Sequence, residues 1–335
     1  MGNPKTTHVF VVGTPRSGTS MVRHVLNRSD QLTMMNESGF FGSPTTFRYL
    51  LDLYVNPEAR LVSEQALTAP YRFYRPGRSA QYFSIADWST EEGATRLIDY
   101  FFDNPPNFWR STVKRADRGA VLQEFLRSNR DGKALLQLFM RQFGGDRPII
   151  GEKTPAHVFF VPTLLDWFPE ARIIHTIRDP RAVFQSQKHK WSRHQPERLT
   201  RPHRMARRFG PTYEIYALLS ITLGWLRTMQ LDQQYRDKYP DRYLRVRYED
   251  IVRAPDAKIK EICEFIGLTF DDDMLKHGYQ NSSYRPVASV RRVQDASQPF
   301  DASAVDRWRG LISPLSKRCI DLVSKTQLQR LEYEI

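Results

Sequence analysis

Long apolar runs, cysteines and an acidic surplus are what this 335-residue chain lacks. No stretch of 18 apolar residues occurs, and no charged start leads into an apolar h-region. A soluble protein without a membrane span is therefore expected. Two cysteines, Cys263 and Cys319, are too few for a disulfide framework and stand at no metal-ligand spacing. No metal site is expected, and a reducing, cytoplasmic setting fits best. Internal repeats and low-complexity linkers are missing as well, so only residues 1–7 read as a tail. The remainder, 40% hydrophobic and 12% aromatic over the whole chain, has the means to bury a large core as one domain, 8–335.

What is present in excess is positive charge, with 50 Lys and Arg against 37 Asp and Glu. It is unevenly spread. Between Gln187 and Arg208 eight basic residues (Lys188, Lys190, Arg193, Arg198, Arg201, Arg204, Arg207 and Arg208) face one acid, Glu197, a net +7 against +13 for the chain. Such a patch draws anionic ligands. No nucleic-acid reader motif accompanies it, so nucleic acid is not expected as a partner.

The most informative segment is His8 to Ser20, HVFVVGTPRSGTS. Val9 to Val12 read as a strand buried on both faces. A turn opens at Gly13. After Gly18, Met21, Val22, Val25 and Leu26 recur at helical spacing, so the loop lies between a strand and a helix N-terminus, where backbone N–H groups and the helix dipole favour phosphate. Against the triphosphatase pattern G-x-x-x-x-G-K-[ST], Gly13, Gly18 and Ser20 are kept while Thr19 replaces the Lys that bridges β- and γ-phosphates. That loss argues against ATP or GTP hydrolysis and against a kinase. Arg16, inside the loop, offers a guanidinium that holds phosphate or sulfate bidentately.

PRSGTS behind an apolar strand resembles the 5′-phosphosulfate loop of sulfotransferases that use 3′-phosphoadenosine 5′-phosphosulfate (PAPS). A second match is Ile173 to Ser186, IIHTIRDPRAVFQS, which resembles the family's 3′-phosphate site. The resemblance implies that Arg178 and Ser186 hold the adenosine 3′-phosphate; a surface pair with Asp179 is the alternative for Arg178. GEKTP at Gly151 to Pro155 is similar to the family's EKTP segment and sets Lys153 at a strand end. YLRVRYED at Tyr243 to Asp250 is similar to its fourth core strand, which makes Tyr248 a candidate beside adenine or ribose. Lys190, four residues after Ser186, stands where tyrosylprotein sulfotransferases carry a basic donor contact. Tyr284 to Arg309 looks like the closing loop over the nucleotide, with Arg307 as a donor contact and Ser289, Arg291, Arg292 and Ser297 unranked.

Transfer to an acceptor also needs a base. Glu37 follows a short Leu32 to Met35 strand and lies 21 residues after Arg16, a spacing similar to that of the catalytic Glu of tyrosylprotein sulfotransferases. His157 is second to it; His24, within the first helix, and His175, within a strand, read as structural. Arg16, Lys153 and the N–H groups of Ser17, Gly18, Thr19 and Ser20 are the expected stabilisers of charge on the leaving phosphate.

Strands are expected at His8 to Val12, Arg147 to Gly151, Arg172 to Ile177 and Tyr243 to Arg247, with a helical insertion over about 40–145. The expected class is α/β, a three-layer fold with a central parallel sheet and a P-loop-like loop, as in sulfotransferases and P-loop NTPases. Aromatic residues from Tyr71 to Trp109 are expected to be mostly core, with some walling the acceptor pocket. The resemblance implies a PAPS-dependent sulfotransferase acting on a hydroxyl of a small molecule or carbohydrate. A peptide tyrosine is the alternative acceptor, and a nucleotide-binding module without turnover is the alternative of another class.

Overall fold

The computed structural model describes residues 6–41, 88, 90–193, 201–276 and 300–335, with only the backbone of 201 and 202. Among these residues five parallel strands form one sheet: β1 (Thr7–Gly13), β2 (Leu32–Met35), β3 (Ile149–Lys153), β4 (Arg172–Ile177) and β5 (Tyr243–Arg247), in the order β2-β3-β1-β4-β5. Alternation along β1 explains why the sheet is covered on both sides. Phe10 and Val12 join Met35, Ile150 and Ile173 in one core, whereas Val9 and Val11 join Met34, Ile149, Ile174 and Val246 in another.

Helices supply the covering layers. They are α1 (Thr19–Leu26), α2 (Glu91–Asp103), α3 (Arg110–Val113), α4 (Arg118–Leu126), α5 (Gly132–Gly144), α6 (Val161–Trp167), α7 (Pro180–Ser192), α8 (Arg201–Arg207), α9 (Gly210–Lys238), α10 (Tyr248–Arg253), α11 (Pro255–Ile266), α12 (Ser303–Asp306) and α13 (Pro314–Arg330). The side chains of Thr90, Asp117 and Asp131 accept the N–H groups of Gly93, Ala120 and Ala134 in the first turns of α2, α4 and α5, which sets where these helices begin. Phe101, Phe108, Trp109 and Phe139 then pack edge to face or tilted against one another beneath the sheet. Trp88, Phe101, Phe108 and Trp109 are thus core rings, as expected of most of them. Tyr71, Phe73, Tyr74, Tyr82 and Phe83 lie outside the described residues. A third core joins Ile177, Val183, Phe184 and Trp225 to Ile320, Leu328 and Tyr333, so α7, α9 and α13 form one block behind the end of β4.

The strand limits differ from expectation at two places: β1 is one residue longer at each end than His8 to Val12, and β3 is shifted. β3 runs from Ile149 to Lys153 instead of Arg147 to Gly151, because its parallel register with β1 starts at Thr7 opposite Ile149 and continues to Val11 opposite Lys153. Connections from β1 lead to one side of the sheet and those from β4 to the other. The C-terminal ends of β1 and β4 therefore flank a topological switch point, the place where open α/β sheets bind ligands. Gly13 ends β1 there with φ +150°, and a Cβ on it would stand 2.4 Å from the Thr176 carbonyl oxygen. Gly13→Ala is expected to cost about 3 kcal/mol, read as a lower urea midpoint at unchanged slope; an unchanged midpoint would refute the close packing.

Candidate active site

The loop after β1 is pinned from within. Ser17 N–H donates to the Thr14 carbonyl at 3.1 Å, the Ser17 and Thr176 hydroxyls pair at 2.9 Å, and those of Thr14 and Thr228 pair at 3.0 Å. Ser17, expected among the anion donors, thus spends both its polar groups inside the protein. The N–H groups of Gly18, Thr19 and Ser20 lie at the head of α1, where no preceding turn offers an acceptor. Gly18 has φ +100°, and a Cβ there would meet Tyr248 Cδ2 at 2.7 Å, so the Tyr248 ring closes directly on the loop. Arg16 adopts φ +76°, a left-handed conformation costing roughly 1–2 kcal/mol for a non-glycine residue. Its Nε donates to Ser186 Oγ at 3.0 Å, which joins the loop to α7.

Beside the loop stands a second group. Lys153 ends β3 with a side chain only 2% exposed, and its Nζ donates to Glu37 Oε1 at 2.5 Å and to Ser20 Oγ at 3.2 Å. The Glu37 side chain is 54% exposed, so one face of this carboxylate meets solvent while the other meets the ammonium. The chain carrying Glu37 is held at two points. Asn27 pairs with both Met34 backbone groups, N–H at 2.8 Å and carbonyl at 3.1 Å, and so satisfies the edge of β2. Beyond Glu37, Ser38 donates to Glu152 Oε1 through its N–H at 3.1 Å and its hydroxyl at 2.8 Å.

Glu152 is fully buried, and the Thr154 hydroxyl also donates to it. Burial alone would raise its pKa, yet the charge and hydrogen bond of His157 and the hydrogen bonds from Thr154 and Ser38 hold it below the usual carboxylate value. His157 Nδ1 stands 2.9 Å from Glu152 Oε2, and the imidazole is fully buried against Phe41. That geometry sets His157 behind the strand, not at the mouth beside Glu37. His175 is likewise buried, with Nδ1 at 3.1 Å from Asp232, and His24 sits within α1.

The third group lies at the ends of β4 and β5. The Arg178 guanidinium stacks 4.1 Å from the centroid of the Tyr248 ring and donates to the carbonyls of Arg16 at 3.3 Å and Ala304 at 3.1 Å. Its Nε is buried with no protein partner among the described residues. The alternative pairing with Asp179 does not form, since that carboxylate receives Arg181 Nε at 2.9 Å and Nη2 at 2.7 Å. Lys190 is half-buried; burial and then the charge of Arg16 lower its pKa, Glu37 opposes the shift and Lys153 adds to it. Positive groups gathered this closely create a potential that an anion relieves. Arg307 is exposed and paired with Asp301 at 2.8 Å, and its charge acts on the Tyr248 phenol. Segment 277–299 of the expected closing loop, with Ser289, Arg291, Arg292 and Ser297, lies outside the described residues, as does 194–200 of the basic stretch.

Arg16, Ser20, Glu37, Lys153, Arg178, Ser186, Lys190 and Tyr248 therefore converge on the edge of the sheet around the first loop. Glu152 is a tie that the motifs do not mark; its signal in the sequence is an acid within a strand run, because a buried carboxylate has to be paired with donors.

The described helices include none long and apolar enough to cross a membrane. The family profile described as Sulfotransferase family matches residues 8–272. An omega-hydroxy-beta-dihydromenaquinone-9 sulfotransferase of Mycobacterium bovis is 29% identical over 154 residues, 43% of this chain and 37% of that protein. A putative protein-tyrosine sulfotransferase of Caenorhabditis briggsae is 20% identical over 271 residues, 80% of this chain and 68% of that protein. Among solved structures, the sulfotransferase domain of the Synechococcus PCC 7002 olefin synthase superposes with TM-score 0.50 and 20% identity, covering 100% of this chain and 97% of that one, which shows the fold. The chain thus spans little more than a third of the Mycobacterium protein it matches.

The buried Glu152 gives a pH-dependent prediction. Its folded pKa is depressed below the ordinary 4.5, so its stabilising contribution is complete above that pH and is lost as pH falls through the folded value. Glu152→Ala is expected to cost about 3 kcal/mol or more at pH 7, since it strands the buried donors of Ser38, Thr154 and His157. The deficit should shrink as unfolding is followed from pH 7 to below 4; a deficit constant with pH would remove the ionised carboxylate from the account.

Proposed function

Given that the chain belongs to the sulfotransferase family, we propose that it transfers the sulfuryl group of PAPS to an acceptor hydroxyl of a small molecule or carbohydrate. The observation that carries the reading is the contact of Lys153 with both Glu37 and Ser20 at the head of α1, which joins a carboxylate, an ammonium and an anion-binding helix end at one point.

Glu37 is the general base. Its half-exposed carboxylate takes the acceptor proton as the acceptor oxygen bonds to sulfur and the bond from sulfur to the leaving phosphate oxygen breaks. Lys153, Arg16 and the N–H groups of Gly18, Thr19 and Ser20 meet the charge left on that phosphate. Arg178 and Ser186 hold the 3′-phosphate, for which the Arg178 Nε, without a protein partner among the described residues, is a ready donor. Lys190 adds charge on the same side, Tyr248 flanks the nucleoside, and Arg307 is an outer contact. Both phosphates of the donor hang on one ribose, so the binding groups for them have to adjoin. The Arg16 to Ser186 hydrogen bond of 3.0 Å supports that adjacency.

A peptide tyrosine is the second acceptor reading, favoured by the tyrosine-sulfotransferase relative that covers 80% of this chain. Incubation with labelled PAPS and an acceptor set of sugars, phenols, alcohols and acidic tyrosine peptides separates the two, because fastest labelling of the peptide would replace the first reading. Adenosine 3′,5′-bisphosphate (PAP) binding without transfer to any of them would instead favour a non-catalytic module. Lys153→Ala is expected to lower kcat about a hundredfold or more, a loss of about 3 kcal/mol of transition-state stabilisation. Glu37→Gln is expected to lower kcat by roughly 10²–10⁴ with PAP affinity nearly unchanged; normal turnover in either variant would sink the role assigned to that residue.

A further inference from the structure

The family match ends at residue 272, yet a segment far beyond it is fastened to the strand ends that carry the donor side of the site. Tyr333 is 8% exposed, and its phenol O–H donates to Glu249 Oε2 at 3.0 Å. Glu249 is 2% exposed, and its other oxygen, Oε1, accepts the Asp179 backbone N–H at 3.0 Å. That N–H belongs to the peptide unit whose carbonyl, on Arg178, accepts Trp225 Nε1 at 2.9 Å. The Arg178–Asp179 peptide is thereby gripped at both ends, and one grip runs through Glu249 to Tyr333.

The same relay reaches the other partner of the Arg178 side chain. Tyr248, whose ring lies 4.1 Å under the Arg178 guanidinium, directly precedes Glu249. Fixing Glu249 therefore fixes both the backbone from which Arg178 departs and the ring on which it lies. The segment is itself well anchored. The Arg247 guanidinium lies 4.6 Å over the Tyr333 ring, and Arg181 Nη2 donates to the Glu334 carbonyl at 2.6 Å while Arg181 also binds Asp179. Burial raises the pKa of both the Glu249 carboxyl and the Tyr333 phenol, which keeps the phenol a donor across the working pH range.

We infer that Tyr333 is a positioning residue for the donor side: acting through Glu249, it sets the Arg178–Asp179 peptide and so aims the Arg178 guanidinium at its anion. The inference rests on the assignment of Arg178 to the donor's 3′-phosphate. Loss of the phenol O–H leaves Glu249 Oε2 an unsatisfied buried oxygen, which costs more than the bond itself contributes. Removing only that O–H in Tyr333→Phe is expected to weaken PAP binding about three- to tenfold, while kcat at saturating PAPS stays within about twofold.

The test follows full-length wild type, Tyr333→Phe and Tyr243→Phe by hydrogen exchange of the Asp179 amide, calorimetric PAP binding, and thermal melting. Tyr243 also donates to a buried carboxylate, that of Asp232 at 3.1 Å, but at the opposite end of its strand, and serves as a control for stability loss alone. Faster exchange at Asp179 together with weaker PAP binding in Tyr333→Phe, and neither in Tyr243→Phe, is the expected result. Unchanged Asp179 exchange in Tyr333→Phe would overturn the relay, and unchanged PAP affinity beside faster exchange would overturn its role in binding. Equal loss of affinity in the Tyr243→Phe control would reduce Tyr333 to a general stabiliser and also overturn it. Failure of the wild type to bind PAP would overturn the donor assignment itself, and with it the aim of Arg178, while the Asp179 exchange would still report on the relay.

Discussion

Parallel pairing of β1 with β3 on one side and β4 on the other is the constraint on which the site depends. The register sets Lys153 opposite Val11 and Thr176 opposite Gly13, so the three loops that follow these strands leave the sheet at one edge. Side chains alternate along a strand, and a slip of one residue exchanges its faces. In β3 that alternation separates two adjacent ionisable groups. Glu152 shares the face of Phe10 and meets Ser38 and His157, while Lys153 shares the face of Val11 and meets Ser20 and Glu37. A shifted register would bring the carboxylate to the phosphate loop and bury the ammonium among rings.

Electrostatics sorts the carboxylates in the same way. Glu152, Asp179, Asp232 and Glu249 are all buried, and each is engaged by donors that hold chain segments together. Glu37 differs in being half exposed beside a buried lysine. Buried carboxylates with several donors are structural ties, and removal of a donor costs more than its bond because an unpaired charge remains. The cations show the reverse arrangement. Arg16, Lys153, Arg178 and Lys190 crowd around one loop, and the pKa of Lys190 is lowered first by burial and then by the charges of Arg16 and Lys153.

Several particulars were legible in the chain and others were not. The β4 and β5 limits and the Leu32 to Met35 strand follow from apolar runs bounded by charged or turn residues, and they match the observed spans. The end of β3 did not follow from such a run. GEK looks like a loop by polarity, and only pairing with β1 and the donors around Glu152 make a buried strand of it. Ser17 shows a similar limit: its place in PRSGTS suggests an anion donor, but contacts with Thr14 and with Thr176, 159 residues away, turn its groups inward. His157 could be weighed as a base in sequence because spacing says nothing of which face of the strand end it packs behind.

By itself the sequence determined the class of fold, the strand–loop–helix unit at Gly13 to Gly18 and the chemistry of an anion site, because those depend on local pattern: apolar periodicity, glycine in a tight turn and unpaired N–H groups at a helix start. Tertiary structure alone decided which charged groups meet. The contact of Glu37 with Lys153 spans 116 positions, that of Arg16 with Ser186 spans 170, and the tie of Tyr333 to Glu249 spans 84. Such pairings follow from strand order and register, which no local window of the chain contains.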